Sequence, residues 1–132
     1  MSQYWDVLVV DDEPVVRDAV RLILREAGLS VAAAEDAESA LAHAALATCR
    51  LVICDMMLPG LSGLEAVRAF RRQRPALPIV LITGYATAGT EAQSADAGAT
   101  AFLAKPFDDT ELLTLVRHAL EPTDVAGKKG RP

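Results

Sequence analysis

Acids, one hydroxyl and one lysine stand where apolar runs end. VLVV is followed by Asp11, Asp12 and Glu13; LVIC by Asp55; IVLI by Thr83; and AFLA by Lys105. An apolar run that stops abruptly in a carboxylate reads as a buried strand delivering a polar group to its carboxyl end, where open α/β sheets build their sites. Asp11, Asp12 and Asp55 brought together would repel one another, and leaving three carboxylates unpaired in a cleft is costly. A hard divalent cation relieves that cost. Mg²⁺ is held by one or two carboxylates together with water and phosphate oxygens. Acids beside a hydroxyl and an ammonium therefore point to Mg²⁺ and a phosphoryl group: the cation and Lys105 would neutralise phosphoryl oxygens, and Thr83 would donate a hydrogen bond. Lys105 stands out because the chain has ten Arg and only three Lys, the other two being Lys128 and Lys129 near the end. A compact ammonium suits a contact with phosphate. Gly84, directly after Thr83, would leave space above such a pocket.

The elements that must position these groups follow from hydrophobic spacing. Trp5–Val10 reads as the first strand. Pro14 suits the first turn of a helix, where its missing N–H costs little. Val15, Val16, Ala19, Val20, Ile23, Leu24 and Ala27 recur at helical spacing, with Arg17, Asp18, Arg21 and Arg25 on the other face, and Gly28 stops the helix. Leu29–Ala34 is a second strand, and Asp36 caps a helix carrying Ala37, Ala40, Leu41, Ala44 and Ala45 inward. His43 reads as a surface residue. Leu51–Asp55 is the third strand, with Pro59, Gly60 and Gly63 punctuating the loop after it. Leu64, Val67 and Phe70 mark the next helix, whose arginines (Arg68, Arg71, Arg72 and Arg74) read as a solvated face. Pro75 and Pro78 lead into Ile79–Thr83, the fourth strand. The stretch Gly84–Gly98 contains no Leu, Ile, Val or Phe. A helix there has only Ala such as Ala92 and Ala95 to bury, so it should be marginal and easily shifted. Thr100–Ala104 is the fifth strand. Asp108 or Asp109 caps a last helix that buries Leu112, Leu113, Val116, Ala119 and Leu120.

Five successive strand–helix units imply an α/β fold: a doubly wound (βα)5, flavodoxin-like parallel sheet with helices on both faces and right-handed crossovers. The order 2-1-3-4-5 places the first and third strands side by side at the switch point. The expected division is one domain over residues 1–121, with 122–132 a flexible tail or the start of a linker. The 132 residues, 52% hydrophobic, suffice for one core. The net charge of −5 argues against direct nucleic-acid binding by this domain. No apolar run approaches the roughly 20 residues of a membrane span. The N-terminus lacks a signal-peptide core, so a cytoplasmic location is expected. Cys49 and Cys54 read as small buried residues.

The pieces VLVVDDE, the strand ending in Asp55 with MMLPGLSGLE after it, IVLITGYA and AFLAKPF together resemble a response-regulator receiver domain of two-component signal transduction, over about Trp5 to Leu120. The resemblance implies that Asp55 is the phosphoacceptor and that Asp11 and Asp12 are the acidic pair. Asp12, Asp55 and the backbone carbonyl of Met57 would hold Mg²⁺, with Asp11 acting through water. Thr83 would be the switch hydroxyl, Lys105 the phosphate-contacting lysine and Lys105–Pro106 a cis bond. Phe102 matches the switch aromatic, which is often Tyr. Met57 and Tyr85 match positions that tune phosphoryl lifetime, and both are bulky here. The implied partner is a sensor histidine kinase or phosphotransfer protein, whose phosphohistidine supplies the phosphoryl group. A homodimer or downstream effector would use the face of helix four, strand five and helix five. Such a domain is a signalling switch that catalyses its own phosphotransfer and slow autodephosphorylation. The segment ITGYAT is similar to receivers of enhancer-binding transcription activators.

Other readings compete. A Mg²⁺-dependent phosphohydrolase with an Asp nucleophile usually carries D-x-D on its first strand, whereas Asp11 and Asp12 are adjacent. A flavodoxin needs a phosphate loop rich in hydroxyls and amides after that strand, where Asp11, Asp12 and Glu13 would repel the phosphate of its flavin. A receiver-like interaction module that works without phosphorylation is the remaining alternative.

Overall fold

The computed structural model describes residues 4–121. Five strands, β1 (Val7–Val10), β2 (Val31–Ala34), β3 (Leu51–Asp55), β4 (Ile79–Thr83) and β5 (Ala101–Ala104), alternate with five helices: α1 (Pro14–Glu26), α2 (Ala37–Ala42), α3 (Gly63–Gln73), α4 (Ala88–Ala97) and α5 (Asp109–Leu120). The strands form one parallel sheet in the order β2-β1-β3-β4-β5, so the expected doubly wound topology is the one observed. The expected tail at 122–132 lies outside the described residues.

Side chains alternate across a strand, and here the alternation divides the core in two. Leu8, Val10, Val52, Cys54, Ile79 and Leu81 face one side and pack with Ala40 of α2, with Ala66, Val67 and Phe70 of α3, and with Ala97 of α4. Val7, Val9, Leu51, Ile53, Val80 and Ile82 face the other and pack with Val20 and Leu24 of α1 and with Leu112 and Val116 of α5. With both faces covered, the central strands read as unbroken apolar runs. The same arrangement brings the carboxyl ends of β1, β3 and β4 side by side.

Several local expectations are corrected. β1 and β2 begin later than expected because Asp6 and Ser30 tie their starts with side chains: the Asp6 N–H donates to Ser30 Oγ at 2.9 Å and the Ser30 N–H to Asp6 Oδ2 at 2.8 Å. β5 begins at Ala101, one residue after Thr100, whose Oγ1 accepts from the Ile79 N–H at 3.0 Å. The helix expected to reach Ala45 stops at Ala42. His43 is half-buried there, and its Nδ1 accepts from the Ala45 N–H at 3.0 Å to open a short 3-10 turn, Ala44–Ala47. α4 buries Ser94 and Ala97, while Ala92 and Ala95 are exposed. Its phase is set by Thr87 and Thr90, which cap each other's backbone N–H groups.

The arginine face of α3 is only partly solvated. Arg71 donates to the carbonyls of Pro75, Leu77 and Gly98. Arg74 donates to those of Leu46 and Cys49. Neither spacing nor composition distinguishes such arginines from their exposed neighbours Arg68 and Arg72.

Candidate functional site

The sheet ladder runs through to the site residues: Asp55 and Thr83 end β3 and β4, and Asp11 and Lys105 stand one residue past β1 and β5. The Asp11 N–H donates to the Ala34 carbonyl at 3.1 Å, that of Met56 to Ile82 at 2.7 Å and that of Lys105 to Thr83 at 2.7 Å. The positions of Asp11, Asp55 and Lys105 are thus set by backbone pairing. Asp11, Asp12 and Asp55 each offer a carboxylate oxygen, and the three lie within 4.8 Å of one another. Asp11 and Asp55 are buried and Asp12 is exposed, so the cluster opens to solvent on one side.

Backbone amides orient the acids. Asp11 Oδ1 accepts from the Glu13 N–H at 2.9 Å, and Asp55 Oδ1 from the Met57 N–H at 3.2 Å. The Thr83 hydroxyl is buried and accepts from the Tyr85 N–H at 3.0 Å, which leaves its proton to be donated elsewhere. Lys105 Nζ stands 3.5 Å from Asp55 Oδ2, 3.8 Å from Asp11 Oδ2 and 3.1 Å from Glu13 Oε1. The Lys105–Pro106 peptide bond is cis.

Burial pushes the Asp11 carboxyl up to about 6. The Glu13 N–H pulls the other way, the Asp55 charge adds to the rise, and Lys105 opposes it. Asp55 is raised as well, chiefly by burial, against the pull of the Met57 N–H and Lys105. Burial would lower the Lys105 ammonium, yet its hydrogen bond to Glu13 and the charges of Asp55 and Asp11 hold it above its usual value. One ammonium therefore does not neutralise the cluster. Converging carboxylate oxygens with a net negative charge fit a hard divalent cation such as Mg²⁺.

Met57 and Tyr85 form the rim, 63% and 70% exposed. Phe102 is half-buried and packs against the core on the α2–α3 face. A Cβ built at Gly84 meets no protein atom within 4 Å, so the space beside it is open.

Three residues gain roles that the sequence reading did not give them. A Cβ at Gly63 would stand 2.5 Å from Met56 Cα and 2.6 Å from the Asp55 carbonyl oxygen, so the start of α3 lies directly against the end of β3. Its one outward sign was a glycine closing the loop after Asp55. Arg17, placed on the outward face of α1, donates from Nη1 to the Asp11 carbonyl at 2.8 Å. Glu13, read only as part of an acidic strand end, touches Lys105.

A family model described as the response regulator receiver domain matches residues 7–117. The chain is 37% identical over 118 residues to the nitrogen assimilation regulatory protein NtrX of Azorhizobium caulinodans, a match that covers 88% of this chain and 26% of that protein. It is 40% identical over 119 residues to the C4-dicarboxylate transport transcriptional regulatory protein DctD of Pseudomonas aeruginosa, covering 87% of this chain and 25% of that one. The chain thus spans about a quarter of the length of these two relatives. The crystal structure of the receiver domain of NtrX from Brucella abortus superposes with a TM-score of 0.83 at 39% identity, covering 89% of this chain and all of that one.

Proposed function

The chain belongs to the response regulator receiver domain family, and from that premise we propose that it is a phosphoacceptor switch in which Asp55 takes a phosphoryl group from a phosphohistidine of a sensor histidine kinase or phosphotransfer protein. The observation that carries this reading is the placing of one ammonium, that of Lys105, within 4 Å of two buried carboxylates, Asp11 and Asp55, from different strands. A carboxylate oxygen of Asp55 attacks phosphorus, the P–N bond breaks, and the pair of electrons returns to the imidazole nitrogen. Water later cleaves the P–O bond to give inorganic phosphate and the free carboxylate.

Lys105 pairs with the phosphoryl oxygens, and the Thr83 hydroxyl donates to another. Asp12, Asp55 and the Met57 carbonyl would hold Mg²⁺, with Asp11 acting through water. The cation would offset the charge that builds on the phosphoryl oxygens. Val15 is 81% exposed beside an apolar groove of about 400 Å³ that also includes Val16, Pro106 and Phe107 and borders Lys105. Such a surface next to the site suits a protein donor.

Phosphorylation adds charge and acceptor oxygens at Asp55. Thr83 moves toward them, Phe102 repacks, and α4, which buries only Ser94 and Ala97, shifts. The face of α4, β5 and α5 then presents a changed surface to a second copy or a downstream effector. Hydrogen exchange over Ala86–Gly98 with and without beryllofluoride tests this; identical exchange would refute the switch.

Intact-mass analysis after incubation with Mg²⁺ and acetyl phosphate tests the acceptor. One added phosphoryl group is expected in the wild type and none in Asp55→Asn. A wild type that neither takes the group nor binds Mg²⁺ and beryllofluoride would support a phosphorylation-independent interaction module.

A further inference from the structure

Glu13 is 59% exposed by its side chain and stands at the N-cap of α1, yet that side chain makes no capping bond. Its Oε1 lies 3.1 Å from Lys105 Nζ, the shortest of the ammonium's three carboxylate contacts; those to Asp55 and Asp11 are 3.5 and 3.8 Å. Glu13 is not part of the trio of acids whose oxygens converge within 4.8 Å, so cation binding there does not occupy it. Its backbone is nevertheless fixed to the site, because its N–H donates to Asp11 Oδ1 at 2.9 Å. An ammonium has three protons to give. Here hydrogen bonds go to the exposed Glu13 and to the buried Asp55, while the buried Asp11 is an ion-pair contact without a hydrogen bond.

We infer that Glu13 is the resting counter-ion of Lys105, a positioning residue that competes with an incoming phosphoryl group for the ammonium. The inference rests on the phosphoacceptor reading of Asp55. When oxygens of a phosphoryl group appear on Asp55, Lys105 exchanges Glu13 for them. The contact with Glu13 thereby opposes formation of the phosphorylated state and favours its loss.

The test is beryllofluoride affinity in the presence of Mg²⁺, measured for wild type, Glu13→Gln and Glu13→Asp. The Lys105 Nζ resonance of the metal-free proteins, followed by ¹⁵N NMR, is the second readout. A half-exposed ion pair of this kind is worth about a fivefold change in affinity. Glu13→Gln should bind about fivefold tighter and shift the Nζ resonance. Glu13→Asp keeps the charge but is one methylene shorter, so it should lose the contact and follow Gln. Unchanged affinity in Glu13→Gln overturns the inference. So does a gain in Gln that Asp does not share with an unmoved Nζ resonance, which would mark a diffuse charge effect. A wild type that binds no beryllofluoride removes the phosphoacceptor reading, and this inference with it.

Discussion

Arg71 of α3 donates to the carbonyl of Gly98, the residue that closes α4, at 2.5 Å, and from its other terminal nitrogen to the carbonyl of Leu77 at 2.5 Å. Gly98 ends α4 in the left-handed conformation, φ 107°, so the guanidinium holds that helix at its turning point. α4 otherwise buries only Ser94 and Ala97. A helix with so little apolar burial depends on its ends: Thr87 and Thr90 at the start, Gly98 and Arg71 at the finish.

Arg71→Met should therefore cost about 2 kcal/mol, the size expected when hydrogen bonds from a charged donor are removed and carbonyls lose their partners. Denaturant unfolding measures that loss, and faster hydrogen exchange around Gly98–Thr100 would locate it. Arg71→Lys should restore little, because a single ammonium does not reproduce the planar fork that reaches both carbonyls. Full recovery by Lys would mean that charge alone, rather than the two-carbonyl geometry, holds α4.

Gly63→Ala tests how tightly the site is built. The added methyl would stand 2.5 to 2.9 Å from backbone atoms of Asp55 and Met56, which cannot turn aside as a flexible side chain could. Overpacking of this kind costs about 1–3 kcal/mol. The displaced segment carries Asp55 and leads to Met57, so Mg²⁺ affinity should fall along with stability. A variant that loses neither would show that the start of α3 can move away from β3 at no cost.

The sheet and its acids were legible in the sequence because both depend on period and position. Apolar runs ending in Asp11, Asp55 and Thr83 give strand, direction and exit point at once. What remained hidden depends on side chains that reach across the fold. Arg71 and Arg68 have the same spacing relationship to the core, yet one is bound to carbonyls of β4's approach and α4's end, while the other is exposed. His43 looked like any surface helix residue until its Nδ1 was found to interrupt the helix by taking the Ala45 N–H. Glu13 and Lys105 are 92 positions apart, and only the closure of β1 and β5 around β3 and β4 brings them together.

Asp11 makes the metal-free protein pH-dependent. Its carboxyl ordinarily titrates at 3.8 and is pushed up to about 6, first by burial. The folded form then holds the proton more tightly than the unfolded chain, so the contribution of Asp11 to stability falls as pH rises from about 4 to about 6, and above that its penalty is complete and constant. At 1.36 kcal/mol per unit, the penalty at neutral pH is on the order of 2–3 kcal/mol. Without metal, Asp11→Asn should be more stable than wild type by about that much near pH 7. The difference should vanish below about pH 4, where Asp11 is protonated in both states. Unfolding midpoints of the two proteins across this range check it, and a difference independent of pH would refute the assignment. Added Mg²⁺ should stabilise the wild type more than the variant.

The rim above Asp55 should set how long a phosphoryl group survives. Met57 and Tyr85 flank the site, are 63% and 70% exposed, and make no side-chain hydrogen bond among the described residues. Neither can orient a water molecule through a carboxylate or amide, and both are large enough to obstruct one. Met57→Asn and Tyr85→Glu replace that bulk with groups able to hold water near phosphorus. Each should speed loss of the phosphoryl group by roughly fivefold, equivalent to about 1 kcal/mol off the barrier. The decay of phosphorylated protein after removal of the donor gives the rate directly. Both side chains are exposed, so stability should be unaffected, and a faster decay cannot then be ascribed to a loosened fold. Unchanged half-lives in both variants would mean that water reaches phosphorus by a path the rim does not control, leaving Lys105 and Thr83 as the groups that set the lifetime.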